Sequence, residues 1–381
     1  MRPLDGITVV SLEHAIAAPF ATRQLADLGA RVIKVERPGP GDFARGYDER
    51  VHGLSSHFVW CNRSKESIAL DLKSEEGLEA MRRLVARADV LVQNLAPGAA
   101  GRMGFDYASL SEKHPGLIVC DISGYGQDGP DRDRKAYDLL IQAESGFLSI
   151  TGTPDEVAKA GCSIADISAG MYAYSNILAA LIERGRTGRG RHIDVSMLET
   201  MAEWMGFPLY YAYEGAPQAP RTGAYHATIY PYGPFKTADG EVMFGIQNER
   251  EWASFCENVL GQPELTSDPR FSPNSARSAN REELARVIGA VLGAMPSAKV
   301  LAALDAARIA NAQVNDMAGL WAHRQLEARG RWREVATQAG PVPALLPPGQ
   351  RDACMAPVPA PGEHTDAILA EIGLATADQK A

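Results

Sequence analysis

The strongest constraint on the fold lies in the first third of the chain, where short β-rich runs alternate with helical patterns. ITVVSL (7–12) and RVIKVE (31–36) flank a helical pattern near 18–28 that stops at Gly29. A second helical pattern near 74–87 precedes DVLVQNL (89–95), and GLIVCDIS (116–123) follows. Strands separated by helices are joined by crossovers rather than hairpins, and right-handed βαβ units build a largely parallel sheet. Residues 1–200 therefore read as a doubly wound α/β domain. From Asp166, the stretch DISAGMYAYSNILAALIERG places Ile167, Met171, Tyr174, Leu178 and Leu181 at helical spacing, with Asp166 at the N-cap position and Gly185 at the stop. A strand, RHIDVSM (191–197), follows a basic turn.

Periodicity is lost over 210–234, a stretch rich in Pro and Tyr that reads as a linker. KTADGEVMFGI then predicts a hairpin around Asp239-Gly240, opening a second domain completed by Ala-rich helices near 281–294 and 297–310. The Pro- and Gly-rich stretch 339–363 is expected to run over the surface before a short helix at 364–374. The resulting division is a large domain at 1–205, a linker at 206–228, a smaller α+β domain at 229–325, and a linker and C-terminal segment at 326–381. A chain of 381 residues accommodates this at ~100–200 residues per domain.

Charge narrows the function. Lys and Arg number 38 against 47 Asp and Glu, a formal charge of −9, which disfavours a general affinity for nucleic acid or anionic membrane. An anionic ligand must be held by a local basic cluster. The cysteines (Cys61, Cys120, Cys162, Cys256 and Cys354) are scattered and read as free thiols, and neither they nor the histidines show metal-ligand spacing. No apolar stretch approaches the ~18 residues of a membrane span, and the run before Glu13 is too short for a signal segment, so a cytoplasmic location is expected. Gly124, Gly126 and Gly129 match G-x-G-x-x-G after a predicted strand, yet Pro130 and DRDRK follow where a helix should open, so the segment reads as a loop. ERGRTGRGRH, with Arg184, Arg186, Arg189 and Arg191, reads as a solvated turn.

Asp166 has two readings. As an N-cap it would accept backbone N–H bonds worth ~1 kcal/mol and stay ionised beside the helix N-terminus. An ionised, positioned carboxylate is equally a nucleophile toward an activated acyl group.

Read together, AAPFATRQLADLGARVIKVERPGPGD (17–42), NRSKESIALDLKSEEG (62–77), ADVLVQNLAPGAAGRMGF (88–105), ISGYGQDGP (122–130), KAYDLLIQAESG (135–146), GCSIADISAGMYA (161–173) and GRGRHIDVSMLE (188–199) resemble the class III coenzyme A transferases. That family includes the formyl-CoA, carnitine-CoA and bile-acid CoA transferases and is related to α-methylacyl-CoA racemase. The resemblance implies a Rossmann-like large domain with a parallel sheet, a smaller domain, and ring-shaped chains interlocked as a homodimer. It implies acyl-CoA and a free carboxylic acid as substrates, with no tightly bound cofactor and no metal, nucleic-acid or membrane partner. The family's catalytic Asp falls on Asp166. Its CoA contacts fall on Arg37, Leu70, Lys73, Asn94, Leu95, Arg102 and Lys135, of which the Arg and Lys residues suit the phosphates of CoA.

Two departures bear on substrate. Formyl-CoA transferases carry Gln where this chain has Ile16, and a run of glycines where it has GIQNERE (245–251), which argues against the formyl/oxalate pair. Racemases carry His where this chain has Tyr137, so α-carbon proton exchange loses one partner. Tyr137 is either a donor near the reacting carbonyls or a packed core tyrosine. Gln247 and Asn248 are candidate contacts to the acid on a lid, and Arg221 and His226 candidate lining of an acid pocket. The reading is a CoA-transferase for small or dicarboxylic acids of the mesaconate, itaconate or succinate type, acting through aspartyl intermediates. A racemase-type enzyme and a non-catalytic CoA-binding dimer are the alternatives.

Overall fold

The computed structural model describes residues 1–374; the last residues of the expected segment 326–381 lie outside them. Two compact units are present. The larger comprises Met1–Phe147, Ala160–Gly206 and the chain from Gln325 onward, and the smaller Leu148–Lys159 and Phe207–Arg324.

The larger unit is organised by six parallel strands: β1 (Thr8–Leu12), β2 (Arg31–Glu36), β3 (Lys65–Ala69), β4 (Val90–Gln93), β5 (Ile118–Ser123) and β6 (His192–Ser196). Their order is β3-β2-β1-β4-β5-β6, with Val9 of β1 opposite both Val32 and Val90. Helices cover both faces, which is why β1, β4 and β5 read as largely apolar runs. On one face Val9, Val32, Val90, Ile118 and Ile193 pack under the Ala17–Asp27 and Ile164–Thr187 helices. On the other, Val10, Ile33, Ile68, Leu91 and Val119 pack under the Glu75–Val85 and Thr365–Glu371 helices. Strand order reverses between β1 and β4, and in such sheets the crevice beyond the carboxyl ends at that reversal is where ligands bind.

The two helices on the first face approach closely through small residues. Ala17, Ala18 and Ala21 meet Ala165, Ala169 and Ala173 in one buried cluster. A Cβ on Gly170 would lie 2.7 Å from the Ala17 carbonyl oxygen. This closeness brings the start of the Ile164–Thr187 helix to the loop that follows β1.

β3 is a strand that the periodicity argument did not anticipate. Its sequence, KESIA, opens with two charged residues, yet Lys65 is buried because its ammonium is paired inside the protein.

In the smaller unit β7 (Tyr232–Lys236), β8 (Glu241–Gly245) and β9 (Asn311–Gln313) form an antiparallel sheet, and the hairpin expected at Asp239-Gly240 closes through the Thr237 N–H to the Gly240 carbonyl at 2.9 Å. Phe235, Phe244, Trp252 and Phe255 form its core with the Arg281–Leu292 and Ser297–Ala306 helices, at the positions expected.

Within 339–363, expected to run over the surface, the structure adds a strand. β10 (Trp332–Thr337) and β11 (Gly340–Leu345) form an antiparallel ribbon in which Pro341 and Pro343 stand opposite Ala336 and Glu334. The Leu346 N–H donates to the Arg331 carbonyl, so the inward-facing donors of β11 belong to even-numbered residues and both prolines turn their nitrogens to the open edge. Proline costs no ladder bond there.

Candidate active site

The helix carrying Asp166 begins at Ile164, with Ser163 at its N-cap and no side-chain cap of its own. The sequence expectation for Asp166 is thus corrected: it stands in the first turn, not at the cap. The capping is done from outside the helix. Asp138, first residue of the Asp138–Glu144 helix, accepts the Ala165 N–H at 2.8 Å and the Asp166 N–H at 3.4 Å through Oδ1. Its Oδ2 accepts the Gln142 amide at 2.7 Å. The orphan donors of a helix start are satisfied by whichever acceptor the fold supplies.

With that task removed, the Asp166 carboxylate has, among the described residues, none of the hydrogen bonds that would hold its pKa low. Burial, and then the charge of Asp138, raise it to about 7. The expectation of a fully ionised carboxylate at neutral pH fails for this reason: the helix N-terminus favours the anion, but desolvation outweighs it. A carboxylate of raised basicity, close to half-ionised at neutral pH, is a better nucleophile and a poised one.

Tyr137 caps the Asp138–Glu144 helix through its backbone and is 70 % exposed, so it is not a packed core residue. Tyr47 completes the neighbourhood. Burial raises its pKa, with smaller contributions from Asp42, Asp166 and Tyr137. Its ring belongs to a ladder running from His14 through Phe43 and Tyr47 to His57, with centroids 5.3, 5.8 and 5.4 Å apart. Sequence reasoning missed Tyr47 and Asp138. Asp138 had a signal in the KAYD segment beside Tyr137, whereas nothing local to Tyr47 marks it.

A buried ionic cluster fixes the loop after β1. The Lys65 ammonium donates to Glu13 Oε1 at 2.6 Å, to the Pro19 carbonyl and to Asn62; Lys34 lies 2.8 Å from Asp42 and 3.4 Å from Glu13. All four charged side chains are fully enclosed. Burial alone would raise the Glu13 pKa, but Lys65 and Lys34 overcome it and leave it at about 2, while burial pushes Lys65 down to about 8. Asp42 accepts the N–H of Ala15, a non-glycine residue at φ 60°, and that of Ala44. A strained backbone position next to the helix that carries Asp166 is thereby held by charges. Ile16, the next residue, is buried and starts the Ala17–Asp27 helix.

The residues expected to contact CoA follow the carboxyl ends of the strands in the chain. Arg37 follows β2 and Leu70 and Lys73 follow β3, on one side of the reversal, while Asn94, Leu95 and Arg102 follow β4 and Lys135 follows β5, on the other. Arg37, Lys73, Arg102 and Lys135 are exposed. Three of the set have side chains engaged within the protein, and of these the Arg37 Nε–H donates to the Gly41 carbonyl at 2.9 Å. Leu70 is buried in the core beside Ile68 and Leu84, which leaves only its backbone for a ligand contact. Asn94 accepts the His14 N–H at 2.8 Å and donates to the His14 carbonyl at 2.9 Å, tying the loop after β4 to the loop after β1.

Gln247 and Asn248 lie on the smaller unit. Asn248 caps the Glu249–Phe255 helix by accepting the Glu251 N–H at 3.0 Å, and the Gln247 N–H donates to Glu251, so the Asn248 side chain is occupied in its own turn. Arg221 donates to the carbonyls of Thr153 and Pro154, and His226 stacks on Tyr232 while its Nδ1 accepts two backbone N–H groups. Both are spent on local structure rather than left to line a pocket.

Comparison with known proteins gives a consistent result. The model of CoA-transferase family III matches residues 4–365. The chain is 35% identical over 379 residues to the succinyl-CoA:glutarate CoA-transferase of Mus musculus, covering 98% of this chain and 87% of that one. It is 32% identical to the succinyl-CoA:mesaconate CoA-transferase of Haloarcula hispanica, covering 99% and 98%. Among solved structures, a CAIB/BAIF family protein from Brucella suis superposes with a TM-score of 0.86 at 36% identity, covering 97% of this chain and 99% of that one. A doubly wound sheet, an unencumbered carboxylate at a helix start and this continuous likeness agree: the chain belongs to CoA-transferase family III and is a CoA-transferase.

Proposed function

We propose that this enzyme moves coenzyme A between small dicarboxylic acids, with Asp166 as the covalent carrier. The observation that carries the reading is the Asp166 carboxylate itself, relieved of capping duty by Asp138 and raised to about 7. The dicarboxylate class is supported by the relatives named for succinyl-CoA with glutarate or mesaconate.

In the proposed cycle an ionised Asp166 oxygen attacks the thioester carbonyl of the donor. The C–S bond breaks, giving an aspartyl–acyl mixed anhydride and CoA thiolate. The thiolate attacks the Asp166 carbonyl carbon, the donor acid leaves as its carboxylate, and an aspartyl-CoA thioester remains. The acceptor carboxylate then attacks that thioester and expels the thiolate. The thiolate finally attacks the acceptor's acyl carbon, releasing the new acyl-CoA and the free Asp166 carboxylate. No net proton is consumed. The thiolate must stay bound between steps, a task for Arg37, Lys73, Arg102 and Lys135 acting on the CoA phosphates. Tyr47 and Tyr137 are donors for the oxyanion of each tetrahedral intermediate. Gln247 is a candidate contact to the acid. We also take the working form to be a homodimer, for which Ile182 and Trp204 on the larger unit and Phe207 and Leu209 on the smaller offer exposed apolar surface.

The test is exchange between succinyl-CoA and a panel of free dicarboxylic acids followed by mass spectrometry, for the wild type and Asp166→Asn. Transfer by the wild type, orders of magnitude less by the variant, and hydroxylamine labelling of Asp166 during turnover are expected. Near-normal transfer by Asp166→Asn would overturn the mechanism.

A further inference from the structure

Below the Asn94–Leu95 loop runs a line of polar groups, buried at Gln93 and Asp121 and half-buried at His192, that the transfer chemistry does not use. Gln93, last residue of β4, and Asp121 in β5 are opposite each other in the parallel ladder and therefore share a face of the sheet. Both are almost fully buried, at 6% and 4% exposure. The Gln93 amide donates to Asp121 Oδ1 at 2.8 Å, and its own carbonyl oxygen accepts the Leu95 N–H at 2.7 Å. On the far side, His192 Nε2 lies 2.7 Å from Asp121 Oδ2, with the imidazole stacked on Tyr107 at 5.5 Å between centroids.

The polarity of this line is fixed by Asp121. A carboxylate only accepts, so the Gln93 NH2 must turn toward it, and the Gln93 oxygen must then turn toward Leu95. Reversing the amide would set an NH2 group against the Leu95 N–H and an oxygen against the carboxylate. A buried donor left without an acceptor is costly, so one orientation is enforced. His192 satisfies the second oxygen of Asp121 and is itself held flat by Tyr107. The neighbouring residue, Asn94, is locked separately by His14, so both residues of the loop are fixed from beneath.

We propose that Gln93, Asp121 and His192 are positioning residues: a polar relay that sets the backbone of the Asn94–Leu95 loop and thereby the affinity for acyl-CoA, without touching the reacting atoms. This rests on the reading of that loop as a coenzyme A contact. The relay acts on ground-state and transition-state binding alike, so its loss raises KM and leaves kcat in place.

The charge pattern supplies its own rescue. In Gln93→Glu two carboxylates face each other and the loop loses its setting. In Gln93→Glu/Asp121→Asn the introduced amide on β5 donates to the introduced carboxylate on β4 while its oxygen accepts from His192, and that carboxylate still accepts the Leu95 N–H.

The experiment measures KM for succinyl-CoA and kcat at pH 8 in the full-length wild type, Gln93→Leu, Gln93→Glu, Gln93→Glu/Asp121→Asn and, outside the relay, Arg102→Ala. Both single Gln93 variants should raise KM about tenfold with kcat within about twofold, and the double variant should recover to within about threefold of wild type. Unchanged KM in the single variants, an equal loss in kcat, or a double variant no better than Gln93→Glu overturns the relay. If Arg102→Ala raises KM while the Gln93 variants do not, the relay alone fails. If none of them changes KM, the reading of this edge as the coenzyme A site fails with it.

Discussion

The environment of Asp166 predicts that removing its charge makes the protein more stable, in a pH-dependent way. Asp166→Asn keeps the shape of the side chain and removes the ionisation. The wild-type carboxyl titrates at about 7 in the folded protein against 3.8 in the reference state. Between these values the folded chain holds a proton that the unfolded chain has released. The wild type therefore loses stability as pH rises from about 4 to about 7, and above 7 the loss levels off on the order of 4 kcal/mol, at about 1.4 kcal/mol per pH unit. The Asn variant has no such dependence at this site, and all other titrations cancel in the difference between the two proteins. No cap is lost, because Ser163 occupies the cap position and Asp138 holds the Ala165 N–H. The variant's advantage should therefore grow by about 2–3 kcal/mol from pH 5 to pH 8. Urea unfolding of both proteins at those two pH values, followed by far-UV circular dichroism, measures it. An advantage that stays flat with pH, or a variant less stable than wild type at pH 8, would refute the desolvated-carboxylate account.

Two further outcomes follow from the same site. The rate kcat/KM for acyl-CoA should fall as one proton is taken up below about pH 7, and Asp138→Asn, which keeps an acceptor for the Ala165 N–H but removes the neighbouring charge, should move that midpoint down; a flat profile through neutral pH would contradict it. Lys34→Met leaves Asp42 and Glu13 buried without one of their cations and should cost about 3–5 kcal/mol in urea unfolding, whereas a loss under about 1 kcal/mol would show that the enclosed charges are not mutually dependent.

Much of the fold was legible because its signals are local. A strand-helix alternation within a few dozen residues dictates a parallel sheet, and the alanine-rich periodicity after Cys162 dictates the helix that carries Asp166. The likeness to the class III CoA-transferases singled that residue out from the other carboxylates. Local signals also misled. β3 hides behind Lys65 and Glu66, and β11 behind two prolines, because an internal ion pair and an open sheet edge make those residues acceptable where propensity would forbid them.

What sequence alone determined is thus the order of elements and the identity of the carboxylate at the head of one helix. Tertiary structure decided what that carboxylate is. Asp138, 28 residues earlier, takes over the helix start; Glu13 meets Lys65 across 52 residues, and Asn94 meets His14 across 80. Side-chain periodicity is a property of neighbours along the chain, whereas desolvation and the choice of hydrogen-bond partner depend on groups the chain brings together only when folded, and those set the charge of the Asp166 carboxylate.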